Sequence, residues 1–93
     1  MTDGGSGKDT MEAEIRRILA THSRIPSAIT SLSERDDLFA AGMTSHANVN
    51  VMLALEDAFD VEFPEAMLRR STFSSIESIR DALSSLLAMG AVS

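Results

Sequence analysis

The sequence predicts an all-α protein, a bundle of three long helices and one short third helix. Ninety-three residues, of which 44% are hydrophobic, are enough for one domain with one core. Four segments repeat apolar residues at helical spacing, whereas none alternates as a half-buried strand does. We therefore expect a single domain over 10–90, with a flexible leader over 1–9 and a tail over 91–93.

The first helix is predicted near the N-terminus, with Asp9 or Thr10 as its cap. It must end before Pro26, because the residue that precedes a proline is disfavoured in the α region. Its apolar face contains Met11, Ile15, Ile18, Leu19 and His22. A connection over about 23–44 follows, which is long for a small domain. Four apolar side chains are expected to hold it against the core, namely Ile29, Leu32, Leu38 and Phe39.

The second helix is predicted over about 46–59, with Ser45 or Thr44 as its N-cap. Pro64 suits the first position of a short third helix over about 64–68.

The fourth helix begins where Ser74 and Glu77 have the spacing of a capping box, and Gly90 is expected to end it. Its apolar face contains Ile76, Ile79, Leu83, Leu86 and Leu87.

The net charge is −6, which argues against nucleic acid as a partner because phosphates require Lys and Arg. Residues 34–65 contain eight acids and one base, so this segment carries −7 and the remainder +1. The acids are Glu34, Asp36, Asp37, Glu56, Asp57, Asp60, Glu62 and Glu65. They form either a solvated face or a docking surface for basic partners.

Several other classes of site and environment find no support in the sequence. There is no cysteine for a disulfide or a thiolate metal site, and no apolar run approaches the roughly 18 residues of a membrane span. The acids over 57–65 lack the glycine and the spacing of a calcium loop. We therefore expect no metal and no membrane partner, a cytoplasmic location and a monomer.

The second helix has more apolar surface than a bundle helix needs, which is a stripe somewhat over ~100° wide. Six side chains cover more than half of its circumference, namely Val49, Val51, Met52, Leu53, Leu55 and Phe59. Some of these side chains should therefore remain at the surface or at its edge. The extra face is either covered by the long connection or used to recognise a partner protein. Asp57 and Asp60 lie near the negative end of the helix dipole, where acids are mildly unfavourable, and Glu56 repels Asp60 at the i, i+4 spacing. The presence of these acids therefore favours a basic partner.

Ser45, in AGMTSHANVN, stands where a glycine-containing loop gives way to the second helix. A serine at such a place is usually an N-cap, and the alternative is a point of covalent attachment. An autonomous hydrolase is disfavoured, because adjacent helical residues point about 100° apart and His46 is therefore poorly placed as a base for Ser45. The sequence contains no nucleophile elbow and no phosphate-binding loop.

The stretch DDLFAAGMTSHANVNVMLALEDAFDVEFPE, residues 36–65, resembles the core of phosphopantetheine-dependent acyl carrier proteins. The likeness covers about residues 15–87, and VMLALEDAFDVEFPE is its strongest part. The resemblance implies an acyl-carrier-like bundle that is not itself an enzyme. It also implies a 4'-phosphopantetheine arm, derived from coenzyme A and attached by a phosphopantetheinyl transferase. That arm would hold an acyl or aminoacyl group as a thioester and present it to a loading ligase and to downstream acceptor enzymes.

On this resemblance Ser45 takes the place of the modified serine, with Thr44 and His46 beside the attachment point. A helix N-terminus favours an anion, so we predict that Ser45 both caps the helix and carries the arm. His46 either contacts the phosphate of the arm or the partner, or is a plain exposed polar residue. The positions implied to bind partners are Val49, Asn50, Leu53, Glu56 and Asp57.

The chain also departs from the family pattern, since Thr44-Ser45-His46 replaces the usual Asp-Ser-Leu. Two further positions that are often acidic hold Ala47 and Asn50, which favours a dedicated partner over the many enzymes of fatty-acid synthesis. The stretches GMTSHANVNVMLALEDAFDVEFPE and RRSTFSSI are most similar to stand-alone aminoacyl carrier proteins, which seryl-tRNA-synthetase-like amino acid:carrier protein ligases load. A peptidyl carrier, a fatty-acid or polyketide-type carrier and an unmodified helical adaptor are the alternatives.

Overall fold

The computed structural model describes residues 7–25 and 29–88, and within them it is helical without any strand. The helices are α1 (Gly7–His22), α2 (Leu38–Ala41), α3 (Ser45–Phe59) and α4 (Ile76–Ala88). Three single 3₁₀ turns lie between them, at Ile29–Ser31, Glu65–Met67 and Arg70–Phe73. The predicted all-α bundle with three long helices is therefore confirmed.

The short elements differ in detail from the prediction. The short third helix expected over 64–68 is a single 3₁₀ turn, preceded by Pro64, whose own backbone is extended. A turn of α-helix, α2, lies in the connection where none was predicted. It forms because the side chain of Asp37 accepts hydrogen bonds from the backbone N–H groups of Phe39 and Ala40.

Helix α1 begins at Gly7, so Asp9 and Thr10 lie inside it and the prediction that one of them caps the helix is wrong. The helix continues one turn further towards the N-terminus than the apolar pattern indicated. Residues 1–6, 26–28 and 89–93 lie outside the described part of the chain. Most of the expected leader, the stop at Pro26, the stop at Gly90 and the tail therefore fall there.

The capping box of α4 lies one residue later than predicted. Because the helix begins at Ile76, the backbone N–H of Ser78 donates to the hydroxyl of Ser75, and the backbone N–H of Ser75 donates to the hydroxyl of Ser78, both at 3.1 Å. The prediction that paired Ser74 with Glu77 is wrong. The carboxylate of Glu77 lies instead beside two arginine side chains.

One core joins α1, α3 and α4. Phe63, which precedes Pro64, and Phe73, the last residue of the turn Arg70–Phe73, meet edge to face with their ring centroids 5.1 Å apart. Residues buried in this core include Ile15, Ile18, Leu19, Ala47, Val51, Leu55, Ile76, Ile79, Leu83 and Leu86. The apolar faces predicted for the three long helices thus meet one another, and α3 is held with its N-terminal end near the connection.

The long connection is anchored to the core, as predicted. Ile29 and Leu38 are buried, and Leu32 and Phe39 are half-buried against the core. Arg16 of α1 adds polar anchors, because its Nη1 donates to the carbonyl oxygens of Ile29 at 2.9 Å and Leu32 at 2.8 Å.

A buried arginine joins the connection to α4 and α1. Arg80 is only 6% exposed, and its guanidinium donates to the carboxylates of Glu34 and Glu12. The hydrogen bond with Glu34 is the main reason that the pKa of Arg80 lies above its ordinary value. The backbone is joined at the same place, where the N–H of Glu77 donates to the carbonyl of Glu34 at 2.9 Å.

Candidate functional site

The loop before Ser45 has a well-defined path. Gly42 ends α2 with φ of 125°, a conformation that glycine adopts without steric cost. The backbone N–H of Met43 donates to the carbonyl of Leu38 at 3.0 Å, and the Met43 side chain is buried. Thr44 is extended and α3 then begins at Ser45, so the position of Ser45 is determined by contacts on both sides.

Thr44 is the N-cap of α3, and its hydroxyl oxygen accepts a hydrogen bond from the backbone N–H of Ala47 at 3.0 Å. The prediction that Ser45 caps the helix is therefore wrong, because Ser45 already has helical backbone and is the first residue of α3. Ser45 is exposed, and its hydroxyl makes no hydrogen bond to residues 7–25 or 29–88. The hydroxyl is thus available for covalent attachment.

A groove of about 370 Å³ runs from Ser45 along α3 towards the 3₁₀ turn at Arg70–Phe73. Its polar lining residues are Ser45, Asn48, Arg69 and Arg70, and its apolar lining residues are Phe39, Val49, Met52, Leu68 and Phe73. The guanidinium carbon of Arg70 lies 3.9 Å from the centroid of the Phe39 ring, which is a cation–π contact. The connection and the segment after α3 therefore meet at this groove.

The residues predicted to bind partners lie on the outer face of α3. Val49 is 48% exposed and Leu53 is 54% exposed, whereas Val51 and Leu55 on the same helix are buried. The expectation that part of the apolar surface of this helix remains uncovered is confirmed. Asn50 and Asp57 are also exposed on α3, as is His46 in its first turn.

Glu56 has a structural contact that the sequence did not indicate. One of its carboxylate oxygens accepts a hydrogen bond from the backbone N–H of Phe63 at 2.8 Å, and its backbone carbonyl accepts from Val61 at 3.1 Å. These bonds close the turn at Asp60, whose φ of 55° is left-handed. The acid at position 56 therefore stabilises the turn.

No group of three or more metal-ligating side chains lies together in the described part of the chain. None of the helices over 7–25 and 29–88 has the length and apolar character required to cross a membrane.

Comparison with known proteins gives the family. Residues 13–83 match the family described as phosphopantetheine attachment site. The chain belongs to this family. A curated relative, the aminoacyl carrier protein of Agrobacterium fabrum, is 43% identical over 77 residues, which cover 83% of this chain and 93% of the relative. As a family member, the chain is a non-catalytic carrier that holds an aminoacyl or acyl group as a thioester on a 4'-phosphopantetheine arm.

Solved structures agree with this assignment. One similar chain comes from a crystal structure of an engineered Bradyrhizobium japonicum glycine:[carrier protein] ligase complexed with a carrier protein from Agrobacterium tumefaciens and AMP. That carrier chain is 42% identical to the present chain, with a TM-score of 0.77. The match covers 78% of the present chain and 97% of the similar one. A solution structure from Agrobacterium tumefaciens is also 42% identical, with a TM-score of 0.68 and coverage of 83% and 93%.

Proposed function

We propose that Ser45 carries the 4'-phosphopantetheine arm and that an amino acid:carrier protein ligase loads this arm with an aminoacyl group. The observation that carries the proposal is the exposed, unpaired Ser45 hydroxyl at the first residue of α3, among the residues that the structure describes. The aminoacyl cargo is supported by the curated relative at 43% identity. The ligase is supported by the similar chain that comes from a ligase–carrier complex.

The surroundings of Ser45 suit a phosphodiester. Thr44 satisfies the backbone N–H of Ala47, which leaves the earlier N–H groups of the first turn of α3 to stabilise an anion. When bound, the arm supplies the thiol that forms the thioester. The chain supplies the Ser45 hydroxyl, and Thr44 positions this hydroxyl by determining where the helix begins. His46 is exposed beside it and can face either the phosphate or the partner.

The loading ligase, the phosphopantetheinyl transferase and the acceptor enzymes are proposed to dock on the outer face of α3. Two exposed apolar side chains, Val49 and Leu53, would supply the buried contact, and Asn50 and the acids Glu56 and Asp57 would supply polar contacts to a basic partner. Because the carboxylate of Glu56 already holds the backbone of Phe63, Asp57 is the acid whose charge is most available.

Intact mass tests the attachment. We would incubate wild type, Ser45→Ala and the control Ser71→Ala, which removes another exposed hydroxyl, with coenzyme A and a phosphopantetheinyl transferase. We expect wild type and the control to gain the mass of one phosphopantetheine, and Ser45→Ala to gain none. If no protein gains mass with several transferases, Thr44→Asp restores the acid that usually precedes the serine. Failure of that variant too would favour the unmodified adaptor.

The cargo is tested on the loaded form. The holo protein is incubated with ATP, a candidate ligase and single amino acids, and a mass increase that hydroxylamine removes identifies an aminoacyl thioester. Loading by a fatty-acyl or polyketide enzyme, without loading by any amino acid ligase, would contradict the aminoacyl proposal and leave a carrier of the acyl type.

A further inference from the structure

Two adjacent arginines, Arg69 and Arg70, line the same groove as Ser45 in a chain whose net charge is −6. They come shortly after the segment 34–65, which carries −7, so the sign of the charge changes abruptly at this point of the chain. Both are exposed, and neither pairs with a carboxylate within residues 7–25 and 29–88. Together with Leu68 they form what we call the arginine edge of the groove.

Both guanidinium groups of the arginine edge are held in place. The Nε of Arg69 donates to the carbonyl of Ala66 at 3.0 Å, and the guanidinium carbon of Arg70 lies 3.9 Å from the centroid of the Phe39 ring. A cation–π contact provides no hydrogen-bond acceptor, so the N–H donors of Arg70 remain available to a carboxylate. Because these side chains are already ordered, they lose less conformational entropy on pairing than freely moving surface arginines do.

Apolar surface lies beside the two charges. Leu68 is 48% exposed next to the arginines in the chain, and Val49 of α3, which lines the same groove, is also 48% exposed. Protein interfaces commonly have an apolar centre and a polar rim, and arginine is enriched in them. Val49 belongs to the face of α3 that is proposed to dock the loading ligase, so a ligase that covers Val49 in order to reach Ser45 also comes close to the arginine edge.

We infer that the arginine edge is a second contact surface for the loading ligase, and that its two guanidinium groups pair with carboxylates of an acidic segment on that enzyme. This role rests on the proposed loading of the arm by an amino acid:carrier protein ligase. The carrier then presents both signs of charge to the ligase, with Asp57 towards the end of α3 and the arginines beside the groove at Ser45. The matching ligase surface has basic groups opposite Asp57 and acidic groups opposite the arginine edge.

A contact surface of mixed charge selects its partner by repulsion as well as by attraction. An enzyme whose docking surface is basic throughout is attracted by Asp57 but repelled by Arg69 and Arg70. The arginine edge therefore favours a dedicated ligase over enzymes that bind a uniformly acidic carrier. The uncharged Ala47 and Asn50 on α3 have the same effect, because they weaken the attraction for a uniformly basic surface.

Steady-state loading of the holo protein tests this contact, with an amino acid:carrier protein ligase that loads the holo wild type as the probe. We would compare wild type, Arg69→Ala/Arg70→Ala and Arg69→Glu/Arg70→Glu with the control Arg17→Glu/Arg35→Glu. The control has the same net charge as the other glutamate variant and changes two exposed arginines away from the groove. Intact mass verifies one arm on each protein, and circular dichroism verifies that each is helical.

Two constants are measured for each protein. The first is KM for the holo carrier in the loading reaction, together with kcat. The second is the inhibition constant of the apo form, which competes with holo wild type for the ligase. Because the apo form has no arm, its inhibition constant reports the contact between the two protein surfaces alone.

We expect Arg69→Ala/Arg70→Ala to raise KM and the inhibition constant about tenfold with little change in kcat, since two ion pairs at the rim of the interface are lost. Arg69→Glu/Arg70→Glu should raise both constants further, to about 100-fold, because like charges then face one another. Added salt should reduce both effects, and the control should stay within about twofold of wild type.

Three results would overturn the pairing with an acidic ligase segment. Unchanged constants in both arginine-edge variants would show that the edge is not a contact, and lower constants in the glutamate variant would show that the facing ligase surface is basic. Equal losses in the control would assign the effect to net charge. A rise in KM without a rise in the inhibition constant also contradicts the pairing, because the arginines would then act on the arm. If no ligase loads the holo wild type, the proposed function itself is contradicted and this contact falls with it.

Discussion

The hydroxyl oxygen of Thr44 accepts a 3.0 Å hydrogen bond from the backbone N–H of Ala47. Because Thr44 caps the helix, the hydroxyl of the neighbouring Ser45 is not needed as a cap. Capping and the proposed attachment are thus divided between two adjacent residues. A carrier whose attachment residue were also its cap would lose helix stability on modification, whereas here the phosphodiester can form without breaking the cap.

This division predicts opposite outcomes for two adjacent substitutions. Thr44→Ala should lower the free energy of unfolding by about 1 kcal/mol, because the cap is lost. Ser45→Ala should change it by less than ~0.5 kcal/mol, because an exposed hydroxyl without a partner is removed. Urea denaturation of the apo proteins measures both values. Equal losses in the two variants would mean that Ser45 shares the capping role.

Glu56 and Asp57 should also behave differently, although both are acids at the end of α3. Glu56→Ala removes the acceptor for the largely buried backbone N–H of Phe63 and should cost about 1–3 kcal/mol of stability, whereas Glu56→Gln, which keeps an acceptor, should cost less. Asp57→Asn should leave the free energy of unfolding nearly unchanged.

In ligase assays at low salt, Asp57→Asn should raise KM for the carrier with little change in kcat, and added salt should reduce the difference from wild type. An unchanged KM at every salt concentration would argue against Asp57 as a partner contact.

The exposed and buried leucines of α3 provide a matched pair. Leu55→Ala, at a position with no exposed surface, should destabilise the protein by about 2–5 kcal/mol. Leu53→Ala, at a position that is 54% exposed, should leave the stability near that of wild type and weaken binding of the loading ligase. Thermal unfolding and titration calorimetry measure the two effects. If Leu53→Ala binds as well as wild type, the outer face of α3 is not the docking surface.

Arg80 should contribute more to the free energy of unfolding than an exposed arginine does, because its guanidinium is buried and paired. Arg80→Ala removes the group that joins Glu34 and Glu12, and we expect a loss of about 1–3 kcal/mol, which is below the 3–5 kcal/mol for a fully buried pair because both partners are partly exposed. Arg35→Ala is the control, since Arg35 is 78% exposed and pairs with Glu77 at 3.6 Å, and it should cost less than ~1 kcal/mol. Similar losses in the two variants would show that the ion pairs of Arg80 contribute no more stability than the exposed pair of Arg35 with Glu77.

A pH effect is expected in α1. Arg17 donates hydrogen bonds to the carboxylate of Glu14, and these bonds hold the pKa of Glu14 below its ordinary value of 4.5. A carboxyl with a lowered pKa contributes stability above the pKa of the unfolded chain and loses it as the pH falls through the folded value. In Arg17→Ala, a ¹³C carboxyl titration should therefore show the Glu14 pKa moved up towards 4.5, whereas Arg35→Ala should leave it in place.

Local sequence patterns were sufficient for the helices and for part of the site. Apolar spacing of three and four residues predicted α1, α3 and α4, and the apolar surplus on α3 predicted that some of its side chains would stay at the surface, as Val49 and Leu53 do. The motif around Ser45 placed this serine at the start of a helix, where the structure has it. These features depend on residues that are close together in the chain, so the spacing of apolar residues along the sequence is enough to predict them.

Tertiary structure decided what depends on residues that are distant in the chain or on the turn in which a helix begins. At the starts of α3 and α4 two adjacent residues could serve equally well as the cap by local sequence alone. The structure uses Thr44 for α3 and Ser75 for α4. Packing brought Arg80 to Glu34, 46 positions away, and gathered Phe39, Asn48 and Arg70 around one groove. Periodicity carries no information about such contacts, because the free energy of burying and pairing a side chain is determined by whichever distant segment packs against it.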